Sequence, residues 1–125
     1  MQIISSDGAP KAIGPYSQAI QSGQTLYTSG QVALDPATGE LAGADFETQA
    51  HRVFENLKAV LGAAGLSFQN VVKATVYLTV MANFQTLNAV YAGYMGEHKP
   101  ARTTIAVSAL PKAALLEIDL VATRE

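Results

Sequence analysis

Two long segments of the chain contain no charged residue, one between Lys11 and Asp35 and the other between Lys73 and Glu97. Only 14% of the 125 residues are charged, whereas an average soluble domain has about 25%. Hydrophobic residues make up 49% of the chain, so the charges are too few to cover its surface in the usual way. We therefore expect either a large exposed apolar area or the burial of part of the surface against another copy of the chain.

The second uncharged segment does not have the composition of a membrane span, which needs about 20 predominantly apolar residues. It includes Asn83, Gln85 and Asn88, and it is better interpreted as a buried strand followed by a helix. The N-terminus lacks the basic region and the apolar run of a signal peptide. The sequence thus predicts a single domain, residues 1–125, that is soluble, cytoplasmic and without a membrane partner.

The composition also disfavours several classes of function. The chain has no cysteine, which excludes disulfides, thiolate metal sites and cysteine nucleophiles. A net charge of −2 with eight Lys and Arg residues does not supply the basic field of a dedicated nucleic-acid binder. The glycine-rich phosphate loops GxGxxG and GxxxxGK[ST] are missing, which argues against a nucleotide cofactor.

Hydrophobic periodicity predicts an α+β domain. Apolar residues at helical spacing predict a helix over residues 46–64 and mark a second one between Phe84 and Tyr94. Runs of strand-forming residues predict strands over 3–4, 17–22, 25–28 continuing through 31–34, 71–80, 103–107 and 115–123. The resulting order, β-β-β-α-β-α-β-β, predicts two helices packed on one face of a mixed sheet. No third helix remains for the other face, so we expect self-association through the sheet.

The first helix has clear signals at both ends. The carboxylate of Asp45 is a suitable N-cap, since it can accept hydrogen bonds from the free backbone N–H groups of the first turn. Gly65 suits the left-handed position after the last turn, and Leu66 can pack back onto that turn.

Arg102 precedes a run of uncharged residues, 103–110, and an unpaired buried guanidinium is costly. Its planar fork matches a carboxylate in bidentate geometry, so an anionic ligand is one possible partner. The alternative is an internal ion pair with Glu117 or Asp119. In the last strand, Leu116, Ile118, Leu120 and Ala122 are predicted on one face, with the two carboxylates on the other.

Glu117 lies in an otherwise apolar strand, where partial desolvation favours protonation and suits a general acid or base. The simpler interpretation is a surface-facing residue of a half-buried strand. Glu117 and Asp119 could also bind a metal together, but no third ligand is nearby, and His51 and His98 are too far apart in sequence to suggest a metal site.

Three residues near the N-terminus have open roles. Ser29 lacks the GxSxG context of a nucleophile. Gly30 indicates a bulge or a close backbone approach. Tyr16 follows a rigid Gly-Pro turn and either packs or presents its hydroxyl to a pocket.

Several short motifs follow one another along the chain: AIGPYSQA (12–19), TSGQ (28–31), DPATG (35–39), QA (49–50), NL (56–57), AGL (64–66), VKATVYL (72–78), NAVY (88–91), PART (100–103), LPK (110–112) and EI (117–118). Together they resemble the RidA family, also called YjgF/YER057c/UK114, over essentially the whole chain.

The resemblance implies a chorismate-mutase-like fold and a homotrimer with clefts between the subunits. The implied activity is the hydrolysis of reactive 2-imino acids, such as 2-iminobutanoate and 2-iminopropanoate, to 2-keto acids and ammonia. Pyridoxal-phosphate enzymes such as threonine dehydratase release these imines, and the implied deaminase needs no cofactor or metal.

The resemblance also implies roles for individual residues. Arg102 corresponds to the arginine that binds the substrate carboxylate, and Glu117 to the glutamate near the attacking water. The implied lining of the cleft is Tyr16, Ser29, Gly30, Asn88 and Thr104.

Two features depart from the family pattern. Thr104 replaces a common cysteine, so this position can form hydrogen bonds but cannot act as a thiolate. The segment before Pro100 is short and lacks the usual aromatic residue, which predicts a more open cleft edge. Alternative functions are a trimer that binds small carboxylates or a partner without turnover, and an endoribonuclease, which the net charge of −2 disfavours.

Overall fold

The computed structural model describes residues 1–125, which form one six-stranded mixed sheet and two α-helices. The helices are α1 (Phe46–Ala63) and α2 (Phe84–Met95). The strands are β1 (Gln2–Ile4), β2 (Ala19–Ser22), β3 (Thr25–Thr28), β4 (Val71–Leu78), β5 (Ala101–Ala106) and β6 (Leu116–Thr123). Across the sheet the order is β1-β2-β3-β6-β4-β5, with β4 and β5 parallel and all other neighbours antiparallel. The predicted α+β class and element order are confirmed.

The ends of α1 form as the sequence predicts. The Asp45 carboxylate accepts a hydrogen bond of 2.9 Å from the backbone N–H of Thr48. At the other end Gly65 has φ of +74°, and the N–H of Leu66 donates to the carbonyl of Leu61 over 2.9 Å. This pair of features closes the last turn and satisfies backbone groups that the helix leaves free.

A single core lies between the helices and one face of the sheet. In β6, Leu116, Ile118, Leu120 and Ala122 are buried, whereas the residues between them are only partly buried. The period of two is that of a strand with one covered face, as predicted. Glu117 and Asp119 therefore lie on the face that the helices leave open.

The predicted strand over residues 31–34 is wrong. Only isolated bridges form there, between Gln31 and Ile118 and between Leu34 and Leu41. The carbonyls of Val32 and Leu34 instead accept hydrogen bonds from Asn56 Nδ2, at 3.3 and 3.0 Å. A side chain of α1 thus satisfies backbone groups that a neighbouring strand would otherwise have paired.

The open face of the sheet carries a row of apolar side chains. Ile3 is in register with Ile20, Ile20 with Tyr27, and Tyr27 with Val121, so the row crosses four strands. Ile3 is 68% exposed and Tyr27 is 51% exposed. One chain therefore leaves an apolar surface of the kind that marks interaction sites. No helix has the combination of length and hydropathy that crossing a bilayer requires.

Candidate active site

Four of the predicted site residues line one cavity of about 850 Å³: Tyr16, Ser29, Gly30 and Glu117. Two loops and β6 bring them together. Ser29 Oγ donates to the carbonyl of Ser17 over 2.6 Å, and this hydrogen bond ties the loop that carries Tyr16 to the end of β3. The Ser29 hydroxyl is thus a support of the cavity wall.

Gly30 allows the backbone to pass directly over the Glu117 carboxylate. A Cβ atom at position 30 would lie 2.2 Å from Glu117 Oε2, which is far inside van der Waals contact. The close approach predicted for Gly30 is confirmed. Glycine at position 30 therefore leaves room for the Glu117 carboxylate to lie against the backbone, and any larger residue would displace that carboxylate.

Burial and a second carboxylate both affect the proton affinity of Glu117. Desolvation raises the pKa of its carboxyl group, and the negative charge of Asp119 raises that pKa further. The predicted partial desolvation is confirmed, and so is the position on the uncovered face of the strand. A carboxyl group with a raised pKa suits proton transfer near neutral pH.

Arg102 lies in β5, which begins two residues earlier than predicted. Its Nη1 donates to Asn88 Oδ1 over 2.8 Å. The guanidinium carbon is 4.8 Å from the ring centroid of Tyr91 and 5.4 Å from that of Phe84. Both distances are within the range of cation–π contact. Residues of α2 thus hold Arg102, while most of its N–H donors are left for another partner.

Arg102 and Glu117 project from opposite faces of the sheet. Arg102 is in register with Ala74, which is buried on the core face, whereas Glu117 is in register with Tyr77 on the open face. The central strand β4 also separates β5 from β6. The alternative of an internal ion pair between Arg102 and Glu117 or Asp119 is therefore wrong. A site that uses both Arg102 and Glu117 requires two copies of the chain.

Two buried hydroxyl groups near Arg102 have no hydrogen-bond partner. They belong to Thr104, which follows Arg102 on the same face of β5, and to Tyr91, whose ring contacts the guanidinium. A buried hydroxyl without a partner carries a cost in free energy. The Arg102 side of the sheet thus offers unused polar groups in addition to the guanidinium.

Three buried amide side chains that support the site were not predicted. Gln49 accepts from the N–H of Leu115 over 2.9 Å and so fixes the chain just before β6. Asn56 holds the cavity wall through Val32 and Leu34. Gln18 donates to the carbonyl of Pro10 over 2.8 Å and tethers the N-terminal loop. Gln49 and Asn56 lie seven residues apart in the buried stripe of α1, and amides within an apolar stripe were the signal available.

The two histidines have separate structural contacts. His51 Nδ1 lies 3.2 Å from the Tyr94 hydroxyl on the outer surface of α1 and α2, and His98 Nε2 lies 2.6 Å from the carbonyl of Val71. No group of three or more His, Cys, Asp or Glu residues is arranged to hold a metal ion.

Comparison with known proteins places the chain in a family. The profile described as endoribonuclease L-PSP matches residues 6–124. The chain belongs to the YjgF/RidA family. It is 50% identical over 124 residues to a RutC family protein of Pyrococcus horikoshii, covering 99% of this chain and 98% of that one.

Two further members bear on the site. A mouse protein named 2-iminobutanoate/2-iminopropanoate deaminase is 46% identical over 121 residues, covering 97% of this chain and 90% of the mouse protein. TdcF of E. coli, solved with bound serine, superposes with a TM-score of 0.95 at 42% identity and covers all of both chains. The family resemblance of the sequence is thus confirmed, and names within the family include both an imine deaminase and an endoribonuclease.

Proposed function

We propose that the protein hydrolyses 2-imino acids, such as 2-iminobutanoate and 2-iminopropanoate, in clefts between copies of a homotrimer. The observation that carries the proposal is the half-buried Glu117 carboxylate, which lies against Gly30 in a cavity large enough for substrate and water. The mouse relative with the corresponding name, at 46% identity, supports it. The protein would act in the cytoplasm, beside the pyridoxal-phosphate enzymes that release such imines.

In the proposed reaction Glu117 transfers a proton twice. Its carboxylate takes a proton from water while the water oxygen bonds to the C=N carbon, and the π electrons move to nitrogen. The resulting carboxylic acid then protonates that nitrogen. Glu117 next takes the proton of the new hydroxyl group and passes it to the nitrogen as the C–N bond breaks, so that ammonia leaves and the 2-keto acid remains. A single group can perform both transfers when its proton affinity is close to the working pH.

Arg102 is the proposed binding group for the substrate carboxylate. One N–H donor of Arg102 is bonded to Asn88 Oδ1, and the remaining donors of the guanidinium can bind a carboxylate in bidentate geometry. Because the substrate carboxylate is bonded directly to the imine carbon, binding of the carboxylate also positions the reacting carbon atom. Thr104 is proposed to contribute its unpartnered hydroxyl to the same ligand.

A second copy is needed to bring Arg102 to Glu117, because the two project from opposite faces of one sheet. The apolar row on the open face offers a surface through which copies can associate. A closed ring of three chains would bury that row and form three equivalent clefts. In each cleft one copy would contribute Glu117, Tyr16, Ser29 and Gly30, and its neighbour Arg102 and Asn88.

The test couples the protein to threonine dehydratase and follows the appearance of 2-ketobutyrate. We expect a faster appearance than by spontaneous hydrolysis, in proportion to the amount of protein added. No acceleration, with the dehydratase in excess, would contradict the proposal. Saturable binding of small carboxylates without acceleration would instead favour a binding protein, the function that the serine-bound TdcF structure brings forward.

Replacing Gly30 by alanine should impair catalysis without unfolding the protein. The new methyl group would displace the Glu117 carboxylate, since their atoms would otherwise lie 2.2 Å apart. We expect kcat to fall about tenfold or more, because small displacements of a reacting group are costly. Gly93→Ala is the matched control, since a Cβ atom there meets nothing within 4 Å. Equal activity of the two variants would show that the position of Glu117 does not matter.

A further inference from the structure

Three side chains form a connected group on the open face of the sheet. Glu117 and Asp119 are two residues apart in β6 and thus point to the same side, about 7 Å apart along the strand. Tyr77, in β4, is directly opposite Glu117 in the register. Its hydroxyl does not bond to Glu117 but donates to Asp119 Oδ2 over 3.0 Å. The three residues therefore lie together on one face of the sheet, with Tyr77 bonded to Asp119.

The two carboxylates of this group have different contacts. Glu117 lies directly against the backbone at Gly30, and Asp119 accepts a hydrogen bond from the Tyr77 hydroxyl. Two carboxylates confined side by side repel each other when both are ionised, so one of them binds a proton more tightly. A hydrogen bond donated to a carboxylate stabilises its charged form. Tyr77 contacts Asp119 and not Glu117, and the negative charge of Asp119 raises the pKa of the Glu117 carboxyl group.

Within one chain, the remaining charged and titratable groups around Glu117 do not offset this arrangement. Lys11, Lys112 and Tyr16 line the wall of the cavity, and none forms a hydrogen bond or ion pair with Glu117. Lys73, on the same sheet face, directs its ammonium group to Thr103 Oγ1 at 2.8 Å, towards β5 and away from β6. Within one chain Asp119 is thus the charge that acts on Glu117, and in the proposed cleft the Arg102 guanidinium of the neighbouring copy faces the same carboxylate.

We propose that Asp119, held in place by the Tyr77 hydroxyl, is a positioning residue that makes Glu117 a stronger base for the attack of water. The proposal deepens the imine hydrolysis proposed above and rests on it. Neither Asp119 nor Tyr77 lines the cavity, so neither is expected to contact substrate. Their effect reaches the reaction only through Glu117. The structure thus gives two neighbouring carboxylates distinct surroundings, Asp119 bonded to Tyr77 and Glu117 facing the cavity.

The first experiment compares pH profiles of kcat/KM for wild type and Asp119→Asn, each corrected for spontaneous hydrolysis. Without the neighbouring charge, Glu117 becomes a weaker base. The acidic limb of the profile should move to lower pH, and the plateau should fall about three- to tenfold, because the rate of proton transfer follows base strength. KM should stay within about twofold, since binding is unaffected. Glu47→Gln, at an exposed carboxylate in the first turn of α1 that does not line the cavity, is the control and should change nothing.

Removing the Tyr77 hydroxyl tests whether its hydrogen bond to Asp119 matters for Glu117. Tyr77→Phe should shift the acidic limb in the same direction as Asp119→Asn but by less, because the charge remains while its position loosens. In the Asp119→Asn background the same change should have no further effect. An unmoved limb in Asp119→Asn, or an equal effect of Tyr77→Phe in both backgrounds, would overturn the proposal.

A second measurement does not depend on turnover. Carbon-13 NMR of the side-chain carboxyl groups gives the titration of Glu117 in the resting protein, with Glu117→Gln identifying its signal. We expect the midpoint to move to lower pH in Asp119→Asn and to stay in place in Asp119→Glu, which keeps the charge. An unchanged midpoint in Asp119→Asn contradicts the proposed effect of Asp119 on Glu117, even if the protein is an active deaminase. A moved midpoint without deamination would instead contradict the proposed function alone.

Discussion

Glu117→Gln should lower kcat for imine hydrolysis by about a hundredfold or more, because an amide cannot take the proton from water or return it to nitrogen. The substitution preserves the size of the side chain beneath Gly30, so KM should change little. The measurement is the dehydratase-coupled assay with the variant and wild type at equal concentration. A variant with more than half of the wild-type rate would remove Glu117 from the reaction.

The same substitution should leave the fold at least as stable as wild type at neutral pH. Burial raises the pKa of Glu117 above the ordinary value of 4.5, so its ionised form opposes folding. The protonated form of Glu117 therefore stabilises the wild-type fold fully below the ordinary pKa. This stabilisation is lost as the pH rises through the raised pKa of the folded protein. Thermal unfolding of both proteins at pH 4 and pH 7 checks this, with the difference in favour of the variant appearing at pH 7. Loss of activity in this variant then has a chemical cause.

Arg102→Ala should lower kcat/KM for 2-imino acids by about a hundredfold, the size expected for losing a bidentate, charge-assisted contact in a partly buried site. Arg102→Lys should recover only part of the loss, since an ammonium group cannot reproduce the fork held between Asn88 and Tyr91. An imine without a carboxylate should be hydrolysed equally well by wild type and both variants. Equal losses for both kinds of imine would show that Arg102 acts other than by binding the carboxylate.

Patterns among neighbouring residues explain why much of the fold could be predicted. The helix α1 follows from apolar side chains at helical spacing between Asp45, which caps its start, and Gly65, which takes the positive φ at its end. The alternation in β6 also follows directly from the sequence, because each apolar residue faces the core. In both elements a local signal and the burial of one face agree.

Long-range pairing explains what could not be predicted. Residues 31–34 have the composition of a strand, but Asn56, which lies 22 to 24 positions later, satisfies their carbonyl groups. The helix-side orientation of Arg102 depends on its register with Ala74, which no local pattern specifies. For the same reason the sequence left an ion pair between Arg102 and Glu117 as an open alternative. Only the register shows that they lie on opposite faces.

The candidate site was predictable as a set of residues and not as an arrangement. Family motifs pointed to Tyr16, Ser29, Gly30 and Glu117, and the structure brings these four to one cavity. They assigned no part in the reaction to Asp119 or to Tyr77, although Tyr77 lies within the motif VKATVYL, because neither residue type in a strand indicates what it contacts. Their relation to Glu117 arises from strand register and one hydrogen bond between distant segments.

The central claim is that each active site takes Glu117 from one copy and Arg102 from another, and mixing two inactive variants tests it most directly. Arg102→Ala and Glu117→Gln chains with different affinity tags would be co-expressed, and the mixed oligomers purified through both tags. In a ring of three chains, every mixed oligomer has one cleft with both original side chains, which predicts about one third of the wild-type activity. Activity no greater than that of either variant alone, in oligomers shown to contain both chains, would contradict a shared site.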